Sequence, residues 1–403
     1  MITEEKHPRA KLLPDPEPRR QYYTVISVDD HLVEPPDLFI GRLPAKYISQ
    51  APRVVEAQDG STTWLYEDRP FPQRGSNAVV GRADRSEELG PLGYADMRRG
   101  CWDVTARVRD MDINGIWASL NFPSNVTGFC GSVFSASKDP ALGISVMRAW
   151  NDWMAEAWHG DYPDRMIPMG ITWLRDPEIG ADEIRRNASR GFKAVSLPEQ
   201  PHRLGYPSLH SGYWDPVLRT CQETETVVCL HVGSSGLNPR AEDAPWGLDT
   251  TLFPVTSLEA CADWIWSGVT LKFPGLAVVM AEGGIGWVPM LLDRLDYVMD
   301  HAGGVSLGAW DWTNEEISPS ETLKRNFWFA MLDDPSTLEL RHRIGVENIM
   351  VESDYPHADS TWPDTQDLLH QRLEGLPVAE IRQITHENAA GLFRHPLPPV
   401  PRP

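Results

Sequence analysis

Seven side chains of the types that bind metal ions or transfer protons stand in four short segments of this sequence. They are Asp29, His31 and Glu34 in VDDHLVEPP, His231 in CLHVGSSG, Glu282 in AEGGIGW, and Asp354 and His357 in ESDYPHADSTWP. Asp29 and His31 are two residues apart, so in an extended strand their side chains point to the same side and can reach one ion. Glu34, directly before two prolines, is expected to bind a second ion or to orient the other donors.

Each of these segments adjoins a run of apolar, β-prone residues. Eight such runs occur along the chain, at 24–28, 116–122, 166–174, 193–197, 226–232, 276–282, 326–332 and 348–354. Helical patterns separate many of them, at 142–158, 181–189, 214–223, 257–273, 288–302 and 365–373. This alternation predicts an α/β fold, a (β/α)8 TIM barrel. The alternative, an open doubly wound sheet, is disfavoured because no glycine-rich phosphate loop follows the first strand.

The candidate donors stand at the carboxyl ends of the first, fifth, sixth and eighth predicted strands. In a barrel of parallel strands these ends meet at one mouth, where enzymes of this architecture build their active sites. Each motif alone also fits an ordinary turn, helix cap or hydrogen-bonded strand end. Their joint position at one mouth favours a metal site.

Residues 40–104 interrupt the alternation directly after the first strand. Two strand-like runs around Asp59 and Gly60 predict a β-hairpin in this insertion. Its arginines are expected to meet the phosphates of a CoA carrier or, alternatively, to lie in solvent: Arg74, Arg82, Arg85, Arg98 and Arg99. We expect a polar N-terminal tail at 1–21, the metal-dependent barrel domain at 22–395 and a proline-rich, extended tail at 396–403.

Composition excludes several classes of partner. A formal net charge of -20 argues against binding to nucleic acid or to an anionic membrane. No apolar run reaches the roughly 20 residues that span a bilayer, and the N-terminus lacks the apolar centre of a signal peptide. The five cysteines form no CxxC pair, which argues against disulfides and a thiolate zinc site. We therefore expect a cytoplasmic protein. We also expect a homo-oligomer, because homo-oligomers are common among barrels of this kind.

The arrangement resembles the amidohydrolase superfamily, specifically its ACMSD-like branch of metal-dependent hydrolases and decarboxylases. The resemblance runs from Val25 to Phe393 and ends in the helix ITHENAAGLF. It implies metal ligands at Asp29, His31, His231 and Asp354, with Asp354 also accepting a proton from the attacking water in hydrolytic relatives. Two positions depart from the family pattern, because Asp29 and Glu282 stand where it usually has histidines.

These departures change the expected metal. Three carboxylates and three imidazoles are too many donors for one tetrahedral zinc ion, and oxygen-rich mixed sets suit iron or manganese. The donors expected to hold two iron ions are Asp29, His31, His231, Glu282, Asp354 and His357, with Glu34 as the next candidate. Zinc or manganese is the alternative.

Within the superfamily, VDDHLVEPPDLF, AEGGIGWVP and ESDYPHADSTWP are similar to the TIM-barrel nonheme diiron monooxygenases of diterpenoid (platensimycin-type) biosynthesis. That resemblance implies hydroxylation of a bulky apolar small molecule, with CoA-linked terpenoid or acyl groups among the expected substrates. Dioxygen and an electron donor would be its further partners. The alternative is a metal-dependent hydrolase or nonoxidative decarboxylase, with Asp354 or His357 as the acid or base.

Overall fold

Nine parallel strand segments form one continuous sheet, and three antiparallel strands form a second, smaller one. The computed structural model describes residues 11–58, 60–73, 75–83, 92–301, 312 and 316–402. In chain order the strands are β1 (Ile26–His31), β2 (Arg53–Glu56), β3 (Thr62–Tyr66), β4 (Arg69–Pro72), β5 (Ala118–Phe122), β6 (Met166–Ile167), β7 (Met169–Gly170), β8 (Ala194–Leu197), β9 (Val227–His231), β10 (Val278–Ala281), β11 (Phe327–Met331) and β12 (Ile349–Val351).

The order of strands in the large sheet returns on itself. It runs β6-β5-β1-β12-β11-β10-β9-β8-β7, and all neighbouring pairs are parallel. The two outer members, β6 and β7, are consecutive in the chain and are separated only by Pro168. Proline has no N–H to donate to a neighbouring strand, so it divides this strand into two short ladders. Counted as one, β6 and β7 complete eight parallel strands, and the predicted (β/α)8 barrel is confirmed.

Fourteen α-helices occur in the described part of the chain, and most of them cover the barrel. They are α1 (Val104–Asn114), α2 (Ser132–Ser135), α3 (Pro140–Trp153), α4 (Pro177–Ala188), α5 (Asp215–Glu223), α6 (Trp246–Thr251), α7 (Phe253–Trp266), α8 (Val269–Lys272), α9 (Val288–His301), α10 (Pro319–Asn326), α11 (Arg341–Ile344), α12 (Thr365–Leu373), α13 (Val378–Arg382) and α14 (Asn388–Phe393). Local signals set several starts: before α4, the Asp176 side chain accepts from the N–H groups of Glu178 and Ile179, and Pro177 follows it. Among these helices none combines the length and the apolar character that crossing a membrane requires.

The insertion after β1 contains the small antiparallel sheet, in the order β2-β3-β4. Strands β2 and β3 pair across the segment where the sequence predicts a hairpin, while Asp59 at its turn lies outside the described residues. The insertion continues over the loop that follows β12, because Val79 N donates to Pro356 O (3.0 Å) and Ala358 N donates to Ser76 O (2.9 Å). It therefore forms part of the barrel mouth.

The described residues of both terminal segments lie against the barrel domain. Of the predicted N-terminal tail, residues 11–21 are described, and Leu13 N donates to Gly81 O (2.7 Å) in the insertion. At the C-terminal end, the Trp117 indole N–H donates to Pro396 O (2.9 Å). Arg402 N donates to the Thr24 hydroxyl (2.7 Å), so the proline-rich segment is held at both of its ends.

A β-bulge in β1 sets the direction of the donors that follow it. Ser27 pairs with Ser119 and Asp30 pairs with Asn121, so three steps along β1 match two steps along β5. The extra residue changes the alternation of side chains. Ser27 and Asp30 consequently lie on the same side, and their side chains are hydrogen-bonded (3.0 Å).

Asp30 ties three parts of the barrel together. Its buried carboxylate accepts hydrogen bonds from the hydroxyls of Ser27, Ser119 and Ser353 and from Tyr355 N. These donors belong to β1, to β5 and to the segment after β12. Asp30, between Asp29 and His31 in the chain, is turned to the other side of the strand. This orientation explains why Asp29 and His31 form one pair, as the sequence predicts.

We expect Asp30→Ala to lower the free energy of unfolding by about 2–4 kcal/mol, because it leaves several buried donors without an acceptor. Chemical denaturation of the metal-free protein measures this change. The matched control is Asp112→Ala, which removes an exposed ion pair with Arg165 and should cost less than about 1 kcal/mol. Equal losses in the two variants would show that Asp30 does not hold the strands together.

Candidate metal centre

Four of the predicted donors meet at the carboxyl ends of β1, β9 and β12. His31 Nε2 lies 3.0 Å from His231 Nε2. The same His31 atom lies 3.4 Å from Asp29 Oδ1 and 3.4 Å from Asp354 Oδ1. All four residues are buried. The donors of Asp29, His31 and His231 are close enough together to share one ion.

A second group of donors lies beside the first. His231 Nε2 is 3.0 Å from Glu282 Oε2, and His357 Nδ1 is 2.9 Å from Asp354 Oδ1. His357 Nδ1 is also 3.7 Å from Glu282 Oε1. The structure therefore brings six of the seven predicted donors together. It adds Asp359, which was not among the predicted donors although it stands in the same ESDYPHADSTWP segment.

The orientation of His231 leaves a nitrogen available for a metal. Its Nδ1 lies 2.7 Å from the carbonyl oxygen of Val232 and donates its proton there. The Nε2 atom points into the cluster and is the nitrogen that can bind a metal, as in metal-binding imidazoles whose other nitrogen is hydrogen-bonded. Phe129 stacks on the ring of His231 with centroids 5.2 Å apart and limits its rotation.

Two of the carboxylate donors occupy unusual backbone conformations. Glu282 has φ 64° and Asp354 has φ 51°, in the left-handed region that non-glycine residues seldom adopt. Hydrogen bonds hold both of them: Glu282 N donates to Glu352 Oε2 (3.1 Å), and Asp354 N donates to Asp29 O (3.0 Å). Strain of this kind collects at functional sites, where surrounding contacts maintain it.

The buried carboxylates of the cluster are suited to a bound cation. Burial, and then neighbouring carboxylates, raise the pKa values of Asp29 and Asp354 well above the usual range. Burial, and then His357 and His231, lower the pKa of His31. Among the described residues, neither carboxylate oxygen of Asp29 has a hydrogen-bond donor. Buried acceptors without donors are costly, and a bound metal ion would satisfy them. The donor set therefore fits a divalent ion.

Glu282 differs from the other carboxylates. Burial acts to raise its pKa, but His231 and His357 outweigh burial and lower the pKa to about 2. It is therefore ionised across the physiological range, next to two imidazoles that hold it in place. Glu282 therefore gives this side of the cluster a negative charge without a metal.

Glu34, the remaining predicted donor, is not brought into the cluster. Its carboxylate is buried, and Oε1 accepts from Ser124 N (3.1 Å) and from the Trp150 indole N–H (3.1 Å). Its other oxygen accepts from the Ser124 hydroxyl. Glu34 thus connects the loop after β1 to the loop after β5 and to α3. Two prolines after an acid give no sequence signal for such a structural role.

Two further buried carboxyl groups adjoin the cluster and were missed in the sequence. Glu352 accepts from Glu282 N, as described above. Glu199 follows β8, accepts from Gly233 N (2.9 Å) and has one oxygen without a donor among the described residues. Burial raises the pKa of Glu199 to about 8. The only available signal was their position at the carboxyl ends of predicted strands, Glu352 within 348–354 and Glu199 shortly after 193–197.

A cavity of about 350 Å³ opens onto the donors. His231, Glu282, His357 and Asp359 form its inner end, and its other walls come from the insertion and from the loops after β5 and β9: Ser76, Asn77, Asn125, Phe129, Val232, Gly233, Leu237, Arg240, Asp249 and Phe253. This size accommodates a small organic molecule. The metal donors and the substrate space therefore form one site at the mouth of the barrel.

The arginines of the insertion are largely engaged elsewhere. Arg98 forms a two-bond contact with the buried carboxylate of Asp110, and Arg99 is paired with Asp103. Arg74 and Arg85 lie outside the described residues. Arg82 is not among the cavity-lining residues. Binding of CoA phosphates by these arginines stays a prediction.

A family model described as "Amidohydrolase" matches residues 62–395. The chain belongs to the amidohydrolase family. The superfamily resemblance drawn from the motifs is thereby confirmed, while the narrower resemblance to diiron monooxygenases stays a prediction.

Several solved structures share the fold of this chain. An amidohydrolase from Mycobacterium avium subsp. paratuberculosis has 24% identity and a TM-score of 0.71, over 93% of this chain and 100% of that chain. A 5-carboxyvanillate decarboxylase from Novosphingobium aromaticivorans, solved with bound manganese, has 18% identity and a TM-score of 0.65, over 94% and 100%. A 2,6-dihydroxybenzoate decarboxylase from Rhizobium has 16% identity and a TM-score of 0.60, over 92% and 99%.

We expect Asp29→Asn to lower the affinity for Mn²⁺ at least about tenfold, because it removes a buried anionic donor. Glu34→Gln is the matched control, since that carboxylate is buried but lies outside the cluster, and its Mn²⁺ affinity should stay near that of the wild type. Calorimetric titration of metal-free protein with Mn²⁺ measures both. Loss of binding in the Glu34 variant alone would assign the metal to the loop after β1 instead.

Glu199→Gln tests the raised pKa of the carboxyl near His231. Because the folded-state pKa of about 8 exceeds the ordinary value of 4.5, protonation of Glu199 stabilises the fold at low pH, and this contribution is lost as the pH rises from 4.5 to 8. Between these two pH values the free energy of unfolding of the variant should rise relative to that of the wild type, by up to about 1.4 kcal/mol per pH unit. Thermal unfolding of metal-free protein between pH 5 and 8 measures the difference. A difference that does not change with pH contradicts the prediction.

Proposed function

We propose that this amidohydrolase is a metal-dependent, nonoxidative decarboxylase of a small aromatic carboxylic acid. The observation that carries the proposal is the buried cluster of Asp29, His31, His231 and Asp354, which adjoins a cavity of about 350 Å³ through His231. Two of the structures with the same fold are decarboxylases of 5-carboxyvanillate and of 2,6-dihydroxybenzoate, and the first of these holds manganese. Hydrolysis has less support, because the two neighbours whose substrates are named are both decarboxylases.

A divalent ion held by these four residues would supply Lewis-acid polarisation of the substrate carboxylate and of an adjacent oxygen. The chain itself supplies the shape of the site and the means to handle a proton. The buried donors on β1, β9 and the segment after β12 fix the end of the substrate that reacts. Phe129, stacked on His231, forms an apolar wall and excludes water from that end.

Decarboxylation breaks the bond between the ring carbon and the carboxylate carbon, and CO₂ leaves. The electron pair of that bond stays on the ring carbon, which must then take up one proton. His357 is placed to deliver it, because it lines the cavity and its Nδ1 lies 2.9 Å from Asp354 Oδ1. Contact with the carboxylate orients the imidazole ring toward its role as a general acid. In this proposal Asp354 positions His357.

A second candidate function is the diiron monooxygenase that the sequence motifs suggest. The observation in its favour is the number of donors, since Glu282, Asp354, His357 and Asp359 form a further group next to the first. Together the two groups hold four carboxylates and three imidazoles, which is enough for two ions. This function would require iron, dioxygen and an external electron donor.

We expect Mn²⁺-loaded protein to release CO₂ from 2,6-dihydroxybenzoate or 5-carboxyvanillate under strict anaerobiosis. His357→Gln should lower kcat by about 10²–10⁴-fold, the usual contribution of a general acid. The control is His210→Gln, an exposed histidine paired with Asp263 on the outer surface, and its kcat should not change. Carbon dioxide release, oxygen consumption and metal content are measured on the same preparations.

The two functions give opposite results in this experiment. Two irons per chain, together with substrate-dependent oxygen consumption and no anaerobic CO₂ release, would overturn the decarboxylase and establish the oxygenase. Activity with one divalent ion and without oxygen would exclude the oxygenase. Unchanged kcat in the His357 variant would assign the proton to another group.

A further inference from the structure

Arg240 has a distinct position on the wall of the cavity. Among the lining residues it is the one lysine or arginine, whereas Asp249, Glu282 and Asp359 are carboxylates. It belongs to the segment that follows β9, so it stands on a different wall from the donors contributed by β1 and by the segment after β12. It is also not among the residues grouped as metal donors.

The guanidinium of Arg240 is fixed on one side and open on the other. Its Nε lies 2.7 Å from Asp249 Oδ1, and its Nη1 donates to Ala244 O (2.8 Å). Asp249 is buried, while about a third of the Arg240 side chain stays exposed (34%). In the part of the chain that the structure describes, Nη2 has no hydrogen-bond partner. Two contacts thus set the direction of the planar group and leave N–H donors for a ligand.

The charge of the protein makes such a group necessary for an anionic ligand. The chain has a formal net charge of -20, which repels anions from solution. A metal ion at the inner end can neutralise one carboxylate of a substrate. A second anionic group in the same cavity meets Asp249 and Asp359 unless a cation stands next to it. Arg240 is placed to be that cation.

We propose that Arg240, positioned by Asp249, forms an anion subsite that binds a second carboxylate of the substrate. The ligand class is an aromatic dicarboxylate, with one carboxylate at the metal donors and the other on the wall formed by the segment after β9. The assignment of the first carboxylate rests on the proposed function. Arginine suits the second because its parallel N–H groups match both oxygens of a carboxylate.

Binding of matched probes to Mn²⁺-loaded protein tests the subsite. Benzoate carries one carboxylate, and isophthalate and terephthalate carry two at different spacings. We expect one of the dicarboxylates to bind at least about tenfold more tightly than benzoate, as one charge-assisted contact allows. Arg240→Gln should abolish this preference and leave the Kd of benzoate unchanged. Arg240→Lys, which keeps the charge but not the parallel donors, should retain part of it.

The control is Arg343→Gln, because Arg343 pairs with Asp293 and Asp296 on the outer face of α9. This variant should bind the dicarboxylates and benzoate with the same relative affinities as the wild type. Thermal unfolding of each variant shows whether the fold is intact. A purely structural role for Arg240 would lower the stability and weaken all probes alike, which would overturn the proposal. An unchanged dicarboxylate preference in Arg240→Gln, or no binding of any probe to the wild type, would overturn it too.

A further arm distinguishes carboxylate from phosphate. Coenzyme A carries phosphates and is tested as a further probe. If its binding requires Arg240 and the binding of the dicarboxylates does not, the subsite binds a phosphate and the dicarboxylate assignment fails. The result is independent of catalysis. An Arg240-dependent preference without CO₂ release would support the subsite and reject the decarboxylase, whereas CO₂ release without that preference would do the reverse.

Discussion

The repulsion among buried carboxylates at the barrel mouth is the constraint on which the rest of this structure depends. Asp29 and Asp354 lie within 3.4 Å of the same His31 nitrogen, and Glu282 lies 3.0 Å from His231. Such groups are stable in a protein interior only if they are protonated or neutralised by a cation. The raised pKa values of Asp29 and Asp354 favour the protonated state, and a bound metal ion would neutralise their ionised state. Much of the surrounding structure keeps these carboxylates together despite the free-energy cost of their repulsion and burial.

Hydrogen bonds outside the cluster supply the restraint. The Asp30 carboxylate binds hydroxyls from three parts of the barrel, and the buried Arg107 donates to the carbonyl oxygens of His31 and Gly100. Glu352 holds the backbone of Glu282 in its left-handed conformation. None of these three side chains has to touch a ligand. They fix the backbone from which the donors project, and a metal site requires that precision.

The cavity relates this centre to the choice of substrate. Its inner end is formed by the donors, while the insertion after β1 and the segment after β9 form walls of different chemistry. The insertion offers neutral polar groups such as Ser76 and Asn77, and the segment after β9 offers the cation of Arg240. In this fold the barrel strands carry the reactive groups, and the loops carry the groups that discriminate between ligands. The same barrel can therefore serve different substrates in different family members.

The sequence by itself determined the barrel, and it predicted six of the residues that meet at the strand ends, though not Asp359. Eight apolar runs and the short spacing of Asp29 and His31 were sufficient, because strand periodicity and burial are local properties. Only the tertiary structure decided that Asp30 binds hydroxyls from three parts of the barrel, since these contacts depend on the pairing of β1 with its neighbours. It also decided that the Glu34 carboxylate accepts hydrogen bonds from Ser124 and Trp150, which lie about 90 and 116 positions away in the chain. Whether a carboxylate binds a metal or a neighbouring N–H depends on what the fold places beside it, and no local pattern records that.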